Sequence, residues 1–132
     1  MPGSFFDTNV LVYIASGDAA KADRAEAAVD AGGAISVQVF NELTNVARRK
    51  MQKSWAETHV FLDTLRALLT VHPLTVEIHE TGLRLAERYG LSTYDAMIAA
   101  SALHAGCDTL WSEDMQHAMA IEGLRVVNPF LG

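Results

Sequence analysis

Apolar residues follow two rhythms along this chain. Short unbroken runs alternate with longer stretches in which apolar positions recur every three or four residues. The short runs read as strands: Ser4 to Phe6, Ala34-Ile35, Thr70 to His72, Asp108 to Trp111 and Leu124 to Val127. The longer stretches read as helices: Asn9 to Ala15, residues 19–31, Val37 to Met51, residues 54–69, Val76 to Tyr89 and Tyr94 to Ala105. Local chemistry marks their ends. Asp7 or Thr8 stands near the first N-cap, Ser36 caps the third helix, and Ser92 or Thr93 caps the last. Ser54 with Glu57 three residues on forms a capping box. Gly17-Asp18, Gly32-Gly33, Gly90 and Gly106 stop helices. Ser112-Glu113-Asp114 predicts a turn into a brief helix.

Strands alternating with helices predict an α/β domain with a parallel sheet. Helices cover both faces of such a sheet, so its strands read as continuous apolar runs. Active sites in these sheets lie beyond the carboxyl ends of the strands. Four acidic residues fall near such ends within apolar surroundings: Asp7 in FFDTNV, Glu42 in VFNEL, Asp95 in TYDAMI and Asp114 in WSEDM. The remaining acids, Glu113 among them, lie on Ala-rich or mixed stretches and read mostly as solvated faces.

Each of the four also has a local explanation. Asp7 can cap a helix, Asp95 can complement a helix dipole, Glu42 can face Arg49, and Asp114 can cap the helix after it. Gathered at one sheet edge they would repel, by about 4 kcal/mol for two unit charges ~4 Å apart at an effective dielectric near 20. A divalent cation would offset this. Oxygen donors without a Cys or His cluster favour Mg²⁺ or Mn²⁺ over Zn²⁺. His59, His72, His79, His104 and His117 show no ligand spacing and read as surface or boundary residues.

Composition narrows the class. The chain has 132 residues, half of them hydrophobic, and a formal net charge of −6. One domain over residues 1–132 with a full core is expected. The negative charge argues against coating nucleic acid by bulk attraction, though not against an acidic nuclease site with a local basic patch. Arg48, Arg49, Lys50 and Lys53 supply four of the ten basic residues. Glu42, Asn45 and Arg49 share one helical face over ~10.5 Å. This basic stretch reads either as a complement to the helix dipole or as a rail for a phosphodiester backbone. The single Cys107 fits a reducing cytoplasm. Asp7 interrupts what would be a signal core, and no apolar run reaches the ~20 residues of a membrane span.

FFDTNVLVY, NEL, STYDAMIAA and WSEDM, in that order, resemble the PIN-domain nucleases, and most nearly the VapC-type ribonuclease toxins of bacterial toxin–antitoxin pairs. The resemblance runs from Asp7 to the last strand. It implies a three-layer α/β/α sandwich with a short parallel sheet. It implies a metal-dependent endoribonuclease with Asp7, Glu42, Asp95 and Asp114 as its acids, and with Asp7, Asp95 and Asp114 on Mg²⁺ or Mn²⁺. Ser112 occupies the place of a small hydroxyl residue that the family often has two before the last acid. Glu113 stands where the family often has Asn, which leaves Glu113 or Asp114 as the last ligand. Asn9, Ser112, Asn45 and Arg49 fall on the substrate side of the site, and Thr8 and Asn9 set the loop around Asp7. A small antitoxin that lies across the acidic pocket, often with an Arg, and a homodimer are the implied partners. Trp55, Val60 and Phe61 read as interface or as core.

Two other functions fit parts of the pattern. An aspartyl-nucleophile phosphatase also has an Asp after its first strand, but it needs a lysine near a later strand end. No lysine follows Lys53. A catalytically silent binding module would keep the fold without turnover.

Overall fold

The computed structural model describes residues 3–131. Six strands, β1 (Ser4–Phe6), β2 (Ala34–Ser36), β3 (Thr70–His72), β4 (Thr109–Trp111), β5 (Ala120–Ile121) and β6 (Leu124–Val127), form one sheet in the order β3-β2-β1-β4-β6-β5. All pairings are parallel except β5 with β6. Six α-helices flank it: α1 (Thr8–Val12), α2 (Ala19–Asp30), α3 (Val37–Arg49), α4 (Trp55–Leu68), α5 (Val76–Tyr89) and α6 (Thr93–His104). The expected α/β architecture is therefore present.

The helix ends obey the local chemistry. Ser54 and Glu57 form a reciprocal capping box, with Ser54 Oγ accepting from Glu57 N–H at 3.0 Å and Glu57 accepting from Ser54 N–H at 2.9 Å. Ser92 caps α6, and Gly90 ends α5 at φ +68°. Ser36 occupies the N-cap of α3, but its hydroxyl makes no capping bond. The first helix begins at Thr8 and tightens into a 3-10 turn over Tyr13–Ala15.

One expectation fails here. Among the described residues no helix follows Asp114, and the chain forms β5 instead. The cap-like bond does form, from Met115 N–H to Ser112 Oγ at 3.4 Å. The backbone then pairs with β6 instead of continuing into a helix. Ala118 N–H donates to Val126 O at 2.8 Å, and Val126 N–H donates to Met119 O at 2.9 Å. Ala118 takes φ +66° to make that turn.

The core is built around the strands and the faces laid against them. Phe5, Phe6, Ile35 and Leu110 from the sheet meet Val10, Leu11, Val39, Leu43, Leu85 and Ile98 from the helices, all fully or nearly fully buried. α6 is buried over the whole stretch Ala96–Ala102, which its small side chains permit. It packs closely on α5, where a Cβ on Gly82 would overlap the Met97 sulfur. Before β2, a Cβ on Gly33 would lie 2.6 Å from both Ser4 O and Phe6 Cε2, so glycine alone lets β2 approach β1.

Strand order decides where a site can form. From β1 the chain winds outward to β2 and β3, then returns across to β4 on the other side of β1. β1 and β4 thus flank a topological switch point, where the crevice beyond their carboxyl ends is open. Asp7 follows β1 directly and Ser112 follows β4 directly.

Candidate active site

A cleft of about 450 Å³ opens at that switch point. Asp7, Glu42, Asp95, Glu113 and Asp114 line it, with Asn9, Tyr13 and Lys50. All four predicted acids are brought to one wall system from four separate segments. Asp7 follows β1, Glu42 faces in from α3, Asp95 lies in the first turn of α6, and Asp114 follows β4.

Asp7 is held in one orientation. It is 6% exposed and caps α1, with Oδ1 accepting from Thr8 N–H at 2.7 Å. Its Oδ2 accepts from the Ser112 hydroxyl at 2.9 Å and from Asn9 Nδ2 at 3.3 Å. Asn9 then turns back, and its Oδ1 accepts from Glu113 N–H at 3.0 Å. Capping and site-building are thus the same act for Asp7. The β1 and β4 loops are tied together through it, helped by Asp7 N–H donating to Trp111 O at 2.9 Å. Ser112 is fully buried, so its hydroxyl serves Asp7 rather than the open cleft.

Electrostatics work against the free carboxylate. Burial pushes the Asp7 pKa from 3.8 up to about 6, and the charges of Asp95 and Glu42 add to the rise. The hydrogen bonds from Ser112 and Thr8 oppose it without cancelling it. Glu42 is half-buried, and its Oε1 accepts from Gln38 Nε2 at 3.1 Å.

Glu113 behaves differently from the solvated residue expected of it. Its Oε2 lies 2.6 Å from Lys21 Nζ and its Oε1 accepts from the Tyr13 hydroxyl at 2.8 Å. Burial raises the Glu113 carboxyl, but the bonds from Lys21 and Tyr13 outweigh that and hold it below its ordinary value. Lys21 Nζ also sits 4.5 Å from the Tyr13 ring centre and 5.1 Å from that of Phe130. Both oxygens of Glu113 are therefore engaged away from the other acids, whereas Asp114 is exposed at the cleft.

Asn45 and Arg49 do not line this cleft. Asn45 lines a second hollow that shares Glu42 with it and includes Tyr94, and both line a third with Arg48 and Trp55. The α3 face that does enter the cleft carries Glu42, Val46 and Lys50, at four-residue steps. Lys50, which the sequence places only in the basic rail, lines the cleft itself, and Tyr13 and Lys21 carry no such expectation. Lys50 had a readable signal, since it stands two turns beyond Glu42. Lys21 had none, because its partner is 92 residues away.

The donors on the cleft wall suit a hard divalent cation: five carboxylates, with hydroxyl and amide oxygens beside them and no Cys or His among the lining residues. Among the described residues no three such carboxylates stand close enough to form a ready-made cage. Thr8 Oγ1, on the same wall, is buried without a partner.

Comparison with solved structures places this geometry among known folds. A toxin–antitoxin complex from Klebsiella pneumoniae is 25% identical, with a TM-score of 0.75 over 96% of this chain and 98% of that one. The VapC20 toxin of Mycobacterium tuberculosis, described as cleaving the sarcin-ricin loop, is 21% identical, with a TM-score of 0.68 over 84% and 89%. DNA-bound VapBC from Salmonella typhimurium is 19% identical, with a TM-score of 0.70 over 96% and 97%. The curated proteins contain no match. The family model of the PIN domain matches residues 4–121, and so, as the carboxylate cleft at the sheet's switch point suggests, this chain belongs to the PIN domain family.

Proposed function

We propose that the protein is a metal-dependent endoribonuclease and the toxin of a two-component toxin–antitoxin pair. One observation carries the reading: four acids from four segments meet in the open cleft of a PIN domain. The similarity to toxin–antitoxin structures supports the biological setting.

Asp7, Asp95 and Asp114 would hold Mg²⁺ or Mn²⁺. When bound, the ion supplies charge neutralisation at the attacked phosphate and lowers the pKa of a water. The chain's own residues do the rest. Thr8, Asn9 and Ser112 keep the Asp7 carboxylate in one orientation, so no reorganisation is needed during reaction. Glu42, half-buried and tethered by Gln38, accepts a proton from the attacking water. Water oxygen bonds to phosphorus as the bond to the 3′ oxygen breaks. The products are a 5′-phosphate and a 3′-hydroxyl, whose proton comes from solvent. Lys50 offers a positive charge to a phosphate entering the cleft, and Asn45 and Arg49 lie along its continuation.

The acidic cleft is also the surface that a basic residue of an antitoxin would cover. Elsewhere on the surface, a hollow between α2 and α4, lined by Ile14, Val29, Phe61, Leu65 and Leu68 together with Glu26, Asp30 and Thr64, offers a further place for a partner segment. Pairing of two copies and a cytoplasmic location belong to the same proposal. No described helix is long and apolar enough to cross a membrane.

The test is cleavage of labelled total RNA with Mn²⁺, with EDTA, and by Asp7→Ala. Discrete fragments that require both metal and Asp7 support the reading. Intact RNA with antitoxin-free protein and Mn²⁺ overturns it and favours the silent binding module.

A further inference from the structure

The cleft does not end at its acids. It continues along α3 through Glu42 to a hollow of about 400 Å³ with Asn41, Asn45 and Tyr94, and then to one of about 480 Å³ with Arg48, Arg49 and Trp55. Two large aromatic residues stand along this track in solvent, Tyr94 at 72% exposure and Trp55 at 57%. Neither is needed by the core.

Trp55 is nevertheless fixed. The α3–α4 connection is a tight turn with Gln52 at φ +54°. Lys53 N–H donates back to Ala47 O at 2.9 Å, and Arg48 Nη1 donates to Lys53 O at 2.6 Å. Arg48 then lies with its guanidinium carbon 4.2 Å from the Trp55 ring centre. The capping box at Ser54 anchors the next residue's backbone. An indole that is ordered, exposed and backed by a cation is a preformed stacking surface. Arg48, Arg49, Lys50 and Lys53 make this the basic end of a protein with a net charge of −6.

We infer that Trp55, backed by Arg48, is a base-stacking subsite for single-stranded RNA leaving the acidic cleft, with Asn41 and Asn45 along the strand's path. Single-strand binders combine a positive track with exposed aromatic rings in this way. From Glu42 to Arg49 is ~10.5 Å along the helix axis. This subsite rests on the ribonuclease reading and adds to it the residue that grips a flanking base.

The test separates binding from cleavage. Affinity for a fluorescein-labelled single-stranded oligoribonucleotide is measured in EDTA, where no cutting occurs, for wild type, Trp55→Phe and Trp55→Ala. The same strand is also tested with abasic sites. Trp55→Ala is expected to weaken binding about tenfold, Trp55→Phe to retain most of it, and abasic RNA to bind wild type and Trp55→Ala alike. Arg49→Ala should lower the salt dependence by about 0.7 in log–log slope, which Trp55→Ala should not. Circular dichroism checks that the exposed substitution leaves the fold intact. Equal affinity of wild type and Trp55→Ala for the intact strand overturns the subsite. So does an affinity loss that tracks a fall from two copies to one by light scattering, which would make Trp55 a self-interface. Cleavage with Mn²⁺ and no Trp55 dependence refutes the subsite alone. RNA held through Trp55 but never cut refutes the nuclease reading alone.

Discussion

The Ser112 hydroxyl donates to Asp7 Oδ2 at 2.9 Å, across 105 residues of sequence and with both side chains buried. This bond is the largest effect opposing the rise in the Asp7 pKa. Ser112→Ala should therefore push Asp7 above about 6 and move the acid limb of the pH–rate profile upward. It should also leave a buried acceptor with one donor fewer, at about 1–3 kcal/mol of stability. Pre-steady-state cleavage across pH 5–8 and a denaturant titration check both. An unmoved profile would show that Ser112 does not tune Asp7.

Asp7 itself sets a conflict between stability and function. Its carboxyl titrates near 6 in the fold against 3.8 for the ordinary group, so the ionised form is the unfavourable one. Stability from this group is fully present below pH 3.8 and is lost as pH rises through about 6. At about 1.4 kcal/mol per pH unit the loss approaches ~3 kcal/mol at neutral pH. Asp7→Asn removes the charge, although its amide nitrogen mismatches one of the donors. The metal-free variant should gain about 1–2 kcal/mol at pH 8 and little at pH 4. Cleavage should fall at least ~100-fold. Thermal melts at both pH values and an RNA assay test the pair of outcomes.

A divalent cation should compete with protons for the same carboxylate. Binding of Mn²⁺, followed by calorimetry, is expected to weaken steeply as pH falls through about 6, with proton uptake by Asp7. Above that range, Mn²⁺ should raise Tm, because it binds only the folded cleft. Binding that is flat between pH 5 and 8 would remove Asp7 from the ligand set.

Glu113 and Asp114 are neighbours with different engagements. Lys21 and Tyr13 occupy Glu113, and Asp114 is exposed at the cleft. Glu113→Gln should retain cleavage within about tenfold and lose less than ~1 kcal/mol, as befits a partly exposed ion pair. Asp114→Asn should lose at least ~100-fold. The reverse order would make Glu113 the ligand.

Gly33 tests the sheet that brings these loops together. Gly33→Ala puts a methyl group 2.6 Å from Ser4 O and the Phe6 ring, next to Asp7. We expect a loss of about 1–3 kcal/mol in urea denaturation, since β1 or β2 must shift. A neutral effect would mean that β2 can move without cost.

The sequence by itself determined the elements whose signals are local. The Ser54–Glu57 box and the Gly90 stop complete their bonding within a few residues and form as read, and of the two candidate caps Ser92 and Thr93 it is Ser92 that bonds. It also marked Asp7, Glu42, Asp95 and Asp114, because a carboxylate among apolar residues near a strand end is conspicuous one segment at a time. Only the tertiary structure decided what depends on strand order. It put β4 beside β1, and so Ser112 on Asp7 and Lys21 on Glu113, contacts of 105 and 92 residues' separation that no local pattern encodes. It turned the expected helix after Asp114 into a hairpin, since pairing with β6 claimed the backbone groups that a helix would have used. It chose the Glu42, Val46 and Lys50 face of α3 for the cleft and left Asn45 and Arg49 beside it. Faces a hundred degrees apart on a helix are equally legible in sequence, and the packing of α3 against the sheet and its neighbours selects between them.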